Sequence, residues 1–246
     1  MGAKMFQIRR KSQSWYGESI GILILDAAYP CIPGNVGNAS TYPFPVRYHQ
    51  VEGASIDRLL NQADPALVAP FIEGARKLQA EGVKAITGAC GFMALFQREV
   101  AAAVEIPVLL SPLLQIPFIA HITGRPVGVI TANASRLTPA HFAACGADPK
   151  VALHIAGMED QPEFRSAILE EKGTLDSARI EEEIMTVAAG LVQRHPRIGA
   201  ILLECSDLPP YAQAIQAVTG RPVFDFNSMI RHVERACVAC RYQGAM

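Results

Sequence analysis

Uninterrupted apolar runs recur along this chain, and they recur in matching pairs. Ile20-Gly21-Ile22-Leu23-Ile24-Leu25 is paralleled by Val127-Gly128-Val129-Ile130, and Val83-Lys84-Ala85-Ile86 by Ile198-Gly199-Ala200-Ile201-Leu202-Leu203. Short β-branched runs without polar alternation are what strands buried on both faces of a parallel sheet require. Residues 46–51 and 151–156 read as second strands. Residues 106–109 and 221–224, each opening at a proline, read as last strands. Between the runs the period becomes helical. Leu67, Phe71, Ala75 and Leu78 follow an Asp64-Pro65 cap, and Ile180, Ile184, Val187 and Leu191 share one helix face. Glu181-Glu182-Glu183 reads as a solvated first turn.

Each half therefore reads β-β-α-β-α-β, with a further helix after the first strand of the second half. The fold expected is α/β, with two pseudosymmetric lobes. Each lobe is a mainly parallel four-stranded sheet flanked by helices, and the active site lies in the cleft between them. The lobes are expected at residues 19–118 and 119–226, with a C-terminal helix at 227–246 returning to the first.

The 246 residues, half of them hydrophobic and 18% charged, describe an ordinary globular protein able to bury a core. A net charge of −1 gives no electrostatic case for nucleic acid. Arg9, Arg10 and Lys11 make a basic start with no apolar signal core behind it. A cytoplasmic protein is therefore expected, with no membrane partner. The most apolar stretch, 100–122, is broken by Glu105, Gln115, His121 and prolines, so it does not read as a membrane span. Cys237-Val238-Ala239-Cys240 lacks further ligands for zinc and reads as a helix with small buried side chains; no metal site is expected.

The chemistry-bearing residues cluster by position. Cys90 and Cys205 end the third strand of each half, where strand gives way to helix, and Pro107 and Pro222 follow them at equal spacing. Asp26 and Asn133 end the first strands. All four belong at the carboxyl ends of the sheets, where ligands of such folds bind. One such cysteine is as readily a core residue; two at equivalent strand ends argue for function. A helix start lowers a thiol pKa from about 8.5, and its free N–H groups can hold a carboxylate. One sulfur on each side of a substrate suits proton transfer between opposite faces of one carbon. A cysteine hydrolase would need a histidine beside one thiol, for which His49 and His154 are the candidates. The loop 27–45 is placed to cap a substrate, and its aromatics, Tyr29, Tyr42 and Phe44, read equally as ordinary packing.

This arrangement resembles the aspartate/glutamate racemase superfamily: cofactor-independent amino-acid racemases, hydantoin racemases, maleate isomerases and arylmalonate decarboxylases. The likeness spans about residues 20–237. Its better motif is Glu204-Cys205-Ser206-Asp207-Leu208-Pro209, similar to the family's Gly-Cys-Thr-His or Gly-Cys-Thr-Glu with a proline after it. The resemblance implies catalysis by Cys90 and Cys205, with no cofactor. It implies that Ser206 binds a substrate carboxylate and that Asp207 holds or polarises the thiol. Cys90-Gly91-Phe92 departs from the racemases' Cys-Asn-Thr, which leaves Gly91 and Phe92 as substrate contacts of a different kind. The activity expected is a racemase or epimerase acting alpha to a carboxylate or carbonyl of a small amino-acid-like acid. The alternatives are an isomerase or decarboxylase using the same cysteines, or a non-catalytic small-carboxylate-binding protein. A homodimer or higher homo-oligomer is what the resemblance implies.

Overall fold

A computed structural model describes residues 5–8, 11, 13–242 and 244–245. The first lobe runs β1 (Ile20–Ile24), β2 (Val46–Gln50), α1 (Val68–Glu81), β3 (Ala85–Gly88), α2 (Gln97–Ala102), β4 (Val108–Leu109) and α3 (Ile116–Thr123). The second runs β5 (Val127–Thr131), α4 (Pro139–Ala144), β6 (Leu153–Gly157), α5 (Pro162–Phe164), α6 (Ser177–Arg194), β7 (Ala200–Leu203), α7 (Ala212–Thr219), β8 (Val223–Phe224) and α8 (Phe226–Cys237). Each lobe holds one four-stranded sheet, in orders β2-β1-β3-β4 and β6-β5-β7-β8. Every pairing is parallel, as the apolar runs require.

The two sheets also share register. Ile20 lies opposite Ala85, and Val127 lies opposite Ala200. Gly21 and Gly128 hold equivalent central positions. A Cβ at either would press on the covering leucine, Leu78 of α1 or Leu191 of α6. Equal registers and equally close helices bring the ends of β3 and β7 to equivalent heights. Cys90 and Cys205 follow those ends.

One apolar cluster is common to both lobes. Leu23, Phe71, Phe92 and Ile86 join Val127, Val129, Ala200 and Leu202 in it. The lobes thus meet across buried hydrocarbon, which fixes their strand ends against each other. A second cluster lies within the second lobe around Phe164, Ile184 and Leu203. A third sits between the first sheet and α8, where Phe226, Met229 and Ile230 cover Ile20 and Ile22. The last helix therefore packs on the first lobe.

Several local expectations are corrected. The last helix ends at Cys237 rather than continuing towards residue 246, and Cys240 is exposed beyond it, so the C-x-x-C pair is not a buried helical pair. Residues 243 and 246 lie outside the described residues. The strand expected at 151–156 is shifted to Leu153–Gly157. Glu183 is more than solvated: it accepts from the N–H groups of Glu163 (2.7 Å) and Phe164 (2.9 Å) and so caps α5. Among the described residues no helix is long and apolar enough to cross a membrane.

Candidate active site

Both cysteines leave their strands into a tight helical turn instead of directly into an α-helix. Gly91–Phe96 is a 3-10 segment ahead of α2, and Pro209–Tyr211 is one ahead of α7. Cys90 is the extended cap residue of the first. In each lobe the backbone N–H two residues on, Phe92 or Asp207, points at the cysteine sulfur and favours its thiolate. The helix-start effect expected from the sequence is thus present, yet its outcome is overturned. Burial, followed by the carboxylates of Glu204 for Cys90 and Asp207 for Cys205, pushes both thiols well above their ordinary value. Loss of hydration and like charge outweigh one N–H dipole.

The second lobe carries most of the polar groups. Cys205 Sγ donates to Asp207 Oδ2 at 3.2 Å. Asn35 Nδ2, from the long loop of the first lobe, donates to Asp207 Oδ1 at 2.5 Å. Burial raises the Asp207 carboxyl, while the hydrogen bonds from Cys205 and Asn35 oppose that rise. Ser206 Oγ donates across the seam to the Ala89 carbonyl at 2.8 Å, and the Val36 N–H donates to the Ser206 carbonyl at 3.3 Å. Glu204 is fully buried. Its Oε2 accepts from the Thr131 hydroxyl at 2.8 Å, and its Oε1 has no partner among the described residues. Burial pushes this carboxyl up to about 7, against the Thr131 bond that lowers it.

The first lobe supplies space and a cover. A Cβ at Gly91 would overlap the Glu204 carboxyl, so only glycine lets the two strand ends close at this point. The loop 27–45 laps over the second lobe. The Ala28 N–H donates to Glu171 Oε1 at 2.6 Å, and Gly34 lies against Pro210. Tyr29 is held in the same cluster. Burial, then Asp207, Cys205 and Cys90, raises its hydroxyl. Beneath the loop a cavity of about 30 Å³ is lined by Leu25, Tyr29, Cys31, Asn35 and Ala89. That volume is about the size of one water molecule, and neither Cys90 nor Cys205 lines it.

The residues singled out by sequence divide cleanly. Cys90, Cys205, Gly91, Ser206 and Asp207 are brought together at the seam. Phe92 is only 1% exposed and its ring packs edge-on to His141, so it offers the site its N–H and not its ring. Asp26 is exposed and bonded to Gln50, and Asn133 caps its own turn through Ser135. Neither is among the groups that perturb the thiols. His49 packs beside Gly74, and His154 stacks on His195 at 3.7 Å. His154 and His195 line a depression of about 610 Å³ with Arg125 and Arg197, at the amino-terminal ends of the second-lobe strands and away from the thiols. Sequence reasoning missed Asn35, Cys31 and Glu204 as members of the cluster. Only Glu204 left a signal, as a charge ending an otherwise apolar strand run.

Comparisons with known proteins bear on the family and the fold. Residues 53–233 match the family model described as Asp/Glu/hydantoin racemase. The chain is 32% identical over 215 residues to a dimethylsulfoniopropionate lyase of Durusdinium sp. clade D, covering 84% of this chain and 71% of that one. It is 33% identical over 219 residues to dimethylsulfoniopropionate lyase 3 of Emiliania huxleyi (strain CCMP1516), covering 84% of this chain and 56% of that protein. This chain thus spans little more than half the length of the Emiliania protein. Among solved structures, allantoin racemase from Pseudomonas fluorescens superposes with a TM-score of 0.63 at 15% identity, covering 88% of this chain and 89% of that one. An arylmalonate decarboxylase superposes at 0.59 and 14% identity, covering 89% and 92%. These two likenesses show the fold.

Proposed function

We propose that this chain, which belongs to the Asp/Glu/hydantoin racemase family, is a carbon–sulfur lyase for a short carboxylate, with dimethylsulfoniopropionate as the candidate substrate. The observation that carries the reading is the identity of 32–33% to dimethylsulfoniopropionate lyases across 84% of the chain. The inequality of the two thiols supports it independently. Cys205 donates to a carboxylate at 3.2 Å, and no such bond is made by Cys90 among the described residues. A β-elimination needs one strong base and no matching acid, because a sulfonium leaves as a neutral sulfide.

The chemistry balances with the groups present. Cys205 passes its proton to Asp207 and, as thiolate, takes the proton alpha to the substrate carboxylate. The electron pair of that C–H bond forms the new carbon–carbon double bond. The Cβ–S bond breaks and its pair leaves on sulfur, giving acrylate and dimethyl sulfide. The proton then returns to solvent. The N–H groups at the Gly91 and Ser206 turns are available to the charge that develops on the carboxylate.

The test is incubation of purified protein with dimethylsulfoniopropionate, with dimethyl sulfide followed in the headspace and acrylate by NMR. Equal amounts of both products are expected. Alpha-proton exchange without sulfide release would sink the lyase reading.

A second reading, a two-base racemase or epimerase acting alpha to a carboxylate or carbonyl, is favoured by one observation. Each sulfur faces the backbone N–H two residues ahead of it, the symmetry that proton transfer on two faces would use. It calls for deuterium incorporation with inversion when amino acids and hydantoins are screened in deuterated water.

A further inference from the structure

Glu204 is a buried acid at the seam to which the proposed chemistry gives no part. It follows the apolar run of β7, and its backbone N–H is bonded to the Ile130 carbonyl at 2.8 Å, so the strand ladder fixes where it stands. Its carboxyl does not lie on its own lobe's thiol. It crosses to the other lobe and rests on the Gly91 backbone, next to Cys90. Successive side chains of an extended segment point to opposite sides, which is why Glu204 and Cys205 serve different places. Among the groups acting on Cys90, Glu204 is second only to burial; among those acting on Cys205, Asp207 comes before Glu204.

We infer that Glu204 is a positioning residue for Cys90: its buried carboxylate, lying behind Gly91, opposes ionisation of that thiol. Every group facing this carboxyl is compatible with it. Thr131, from the end of β5, gives its only hydrogen bond among the described residues. Cys90 faces it from the β3 end, and Cys205 and Asp207 from its own. Cys145, capping α4, is pushed up to about 12 by burial and then by Glu204, with Arg98 of α2 opposing from beyond it. His141 of α4 is held neutral by burial.

The sign follows. Below neutral pH Glu204 is protonated and Cys90 is a thiol in any case. As pH rises through about 7 the carboxyl ionises and opposes ionisation of Cys90.

The experiment is site-resolved alkylation of the resting protein with iodoacetamide, read by peptide mass spectrometry. In Glu204→Gln, Cys90 is expected to react about tenfold faster than in the wild type at pH 8.5 and equally at pH 6, the effect of about one pKa unit. Cys31 serves as the internal control and keeps its rate. Equal Cys90 rates at pH 8.5, or a parallel rise at Cys31, overturns the inference. Thr131→Val decides the matter if the glutamine variant folds poorly. Without its hydrogen bond Glu204 stays neutral to higher pH, so Cys90 should react faster than wild type near pH 7.5; an unchanged rate overturns the inference. Neither measurement uses a substrate. A chain that releases no sulfide but shows these gains refutes the lyase reading alone, and the reverse result refutes this inference alone.

Discussion

At the end of β3 the first lobe presents Ala89-Cys90-Gly91-Phe92; at the end of β7 the second presents Glu204-Cys205-Ser206-Asp207. Strand order and register agree between the lobes, so the two segments occupy equivalent places. Their chemistry does not agree. The first lobe offers a methyl, a bare backbone and a buried ring. The second offers two carboxyls and a hydroxyl, and all three reach outward from it. Ser206 bonds to Ala89, Glu204 lies on Gly91, and Asp207 takes Asn35 from the first-lobe loop. The smallness of the first segment is what lets the second in. Duplicated backbones have thus become a receptor and its insert, and a symmetric fold carries an asymmetric site.

The difference between the lobes shows most strongly when one sulfur is removed at a time. Cys205→Ala should lower kcat for sulfide release by about a thousandfold, within the range for loss of a general base. Cys90→Ala should cost about tenfold, because a neutral thiol orients but does not abstract. Equal losses in the two variants would restore the symmetric, two-base picture.

Next in size is the pH dependence of stability. A carboxyl raised from its ordinary 4.5 to about 7 in the folded protein contributes stability that is whole below pH 4.5 and lost as pH rises through 7. The loss amounts to roughly 3 kcal/mol for Glu204. Urea unfolding at pH 5 and pH 8 should show that decline in the wild type and a flatter profile in Glu204→Gln. The same slope in both would mean that the second lobe does not insert a titrating acid into the first.

The smallest effect expected is that of Ser206→Ala, which deletes the hydrogen bond to Ala89 and should cost about 1 kcal/mol in unfolding free energy. A change in activity far beyond that, with substrate KM rising and stability intact, would assign the hydroxyl to substrate binding, the role the family resemblance gives it.

Much of this was legible without coordinates, and the reason is locality. Apolar runs such as Val127-Gly128-Val129-Ile130 commit to buried parallel strands from their own composition, and their repetition gave two lobes of one design. The thiols were found because they follow those runs at equivalent positions. Asp26 and Asn133 satisfied the same positional rule, yet they bond to their own neighbours, Gln50 and Ser135, and join nothing across the seam. Position at a strand end was therefore a sound guide to the neighbourhood and a poor one to membership.

What the sequence determined by itself is the pair of pseudosymmetric sheets and the placing of a cysteine at the same point of each, since strand formation and chain direction depend on residues near in the chain. Only the tertiary structure decided how those cysteines behave. Burial raised both thiols where a helix start alone would have lowered them, and it gave Glu204 a partner hydroxyl from β5 and a resting place on the opposite lobe. Desolvation and charge coupling depend on atoms distant in sequence, and these come together only when the two lobes close.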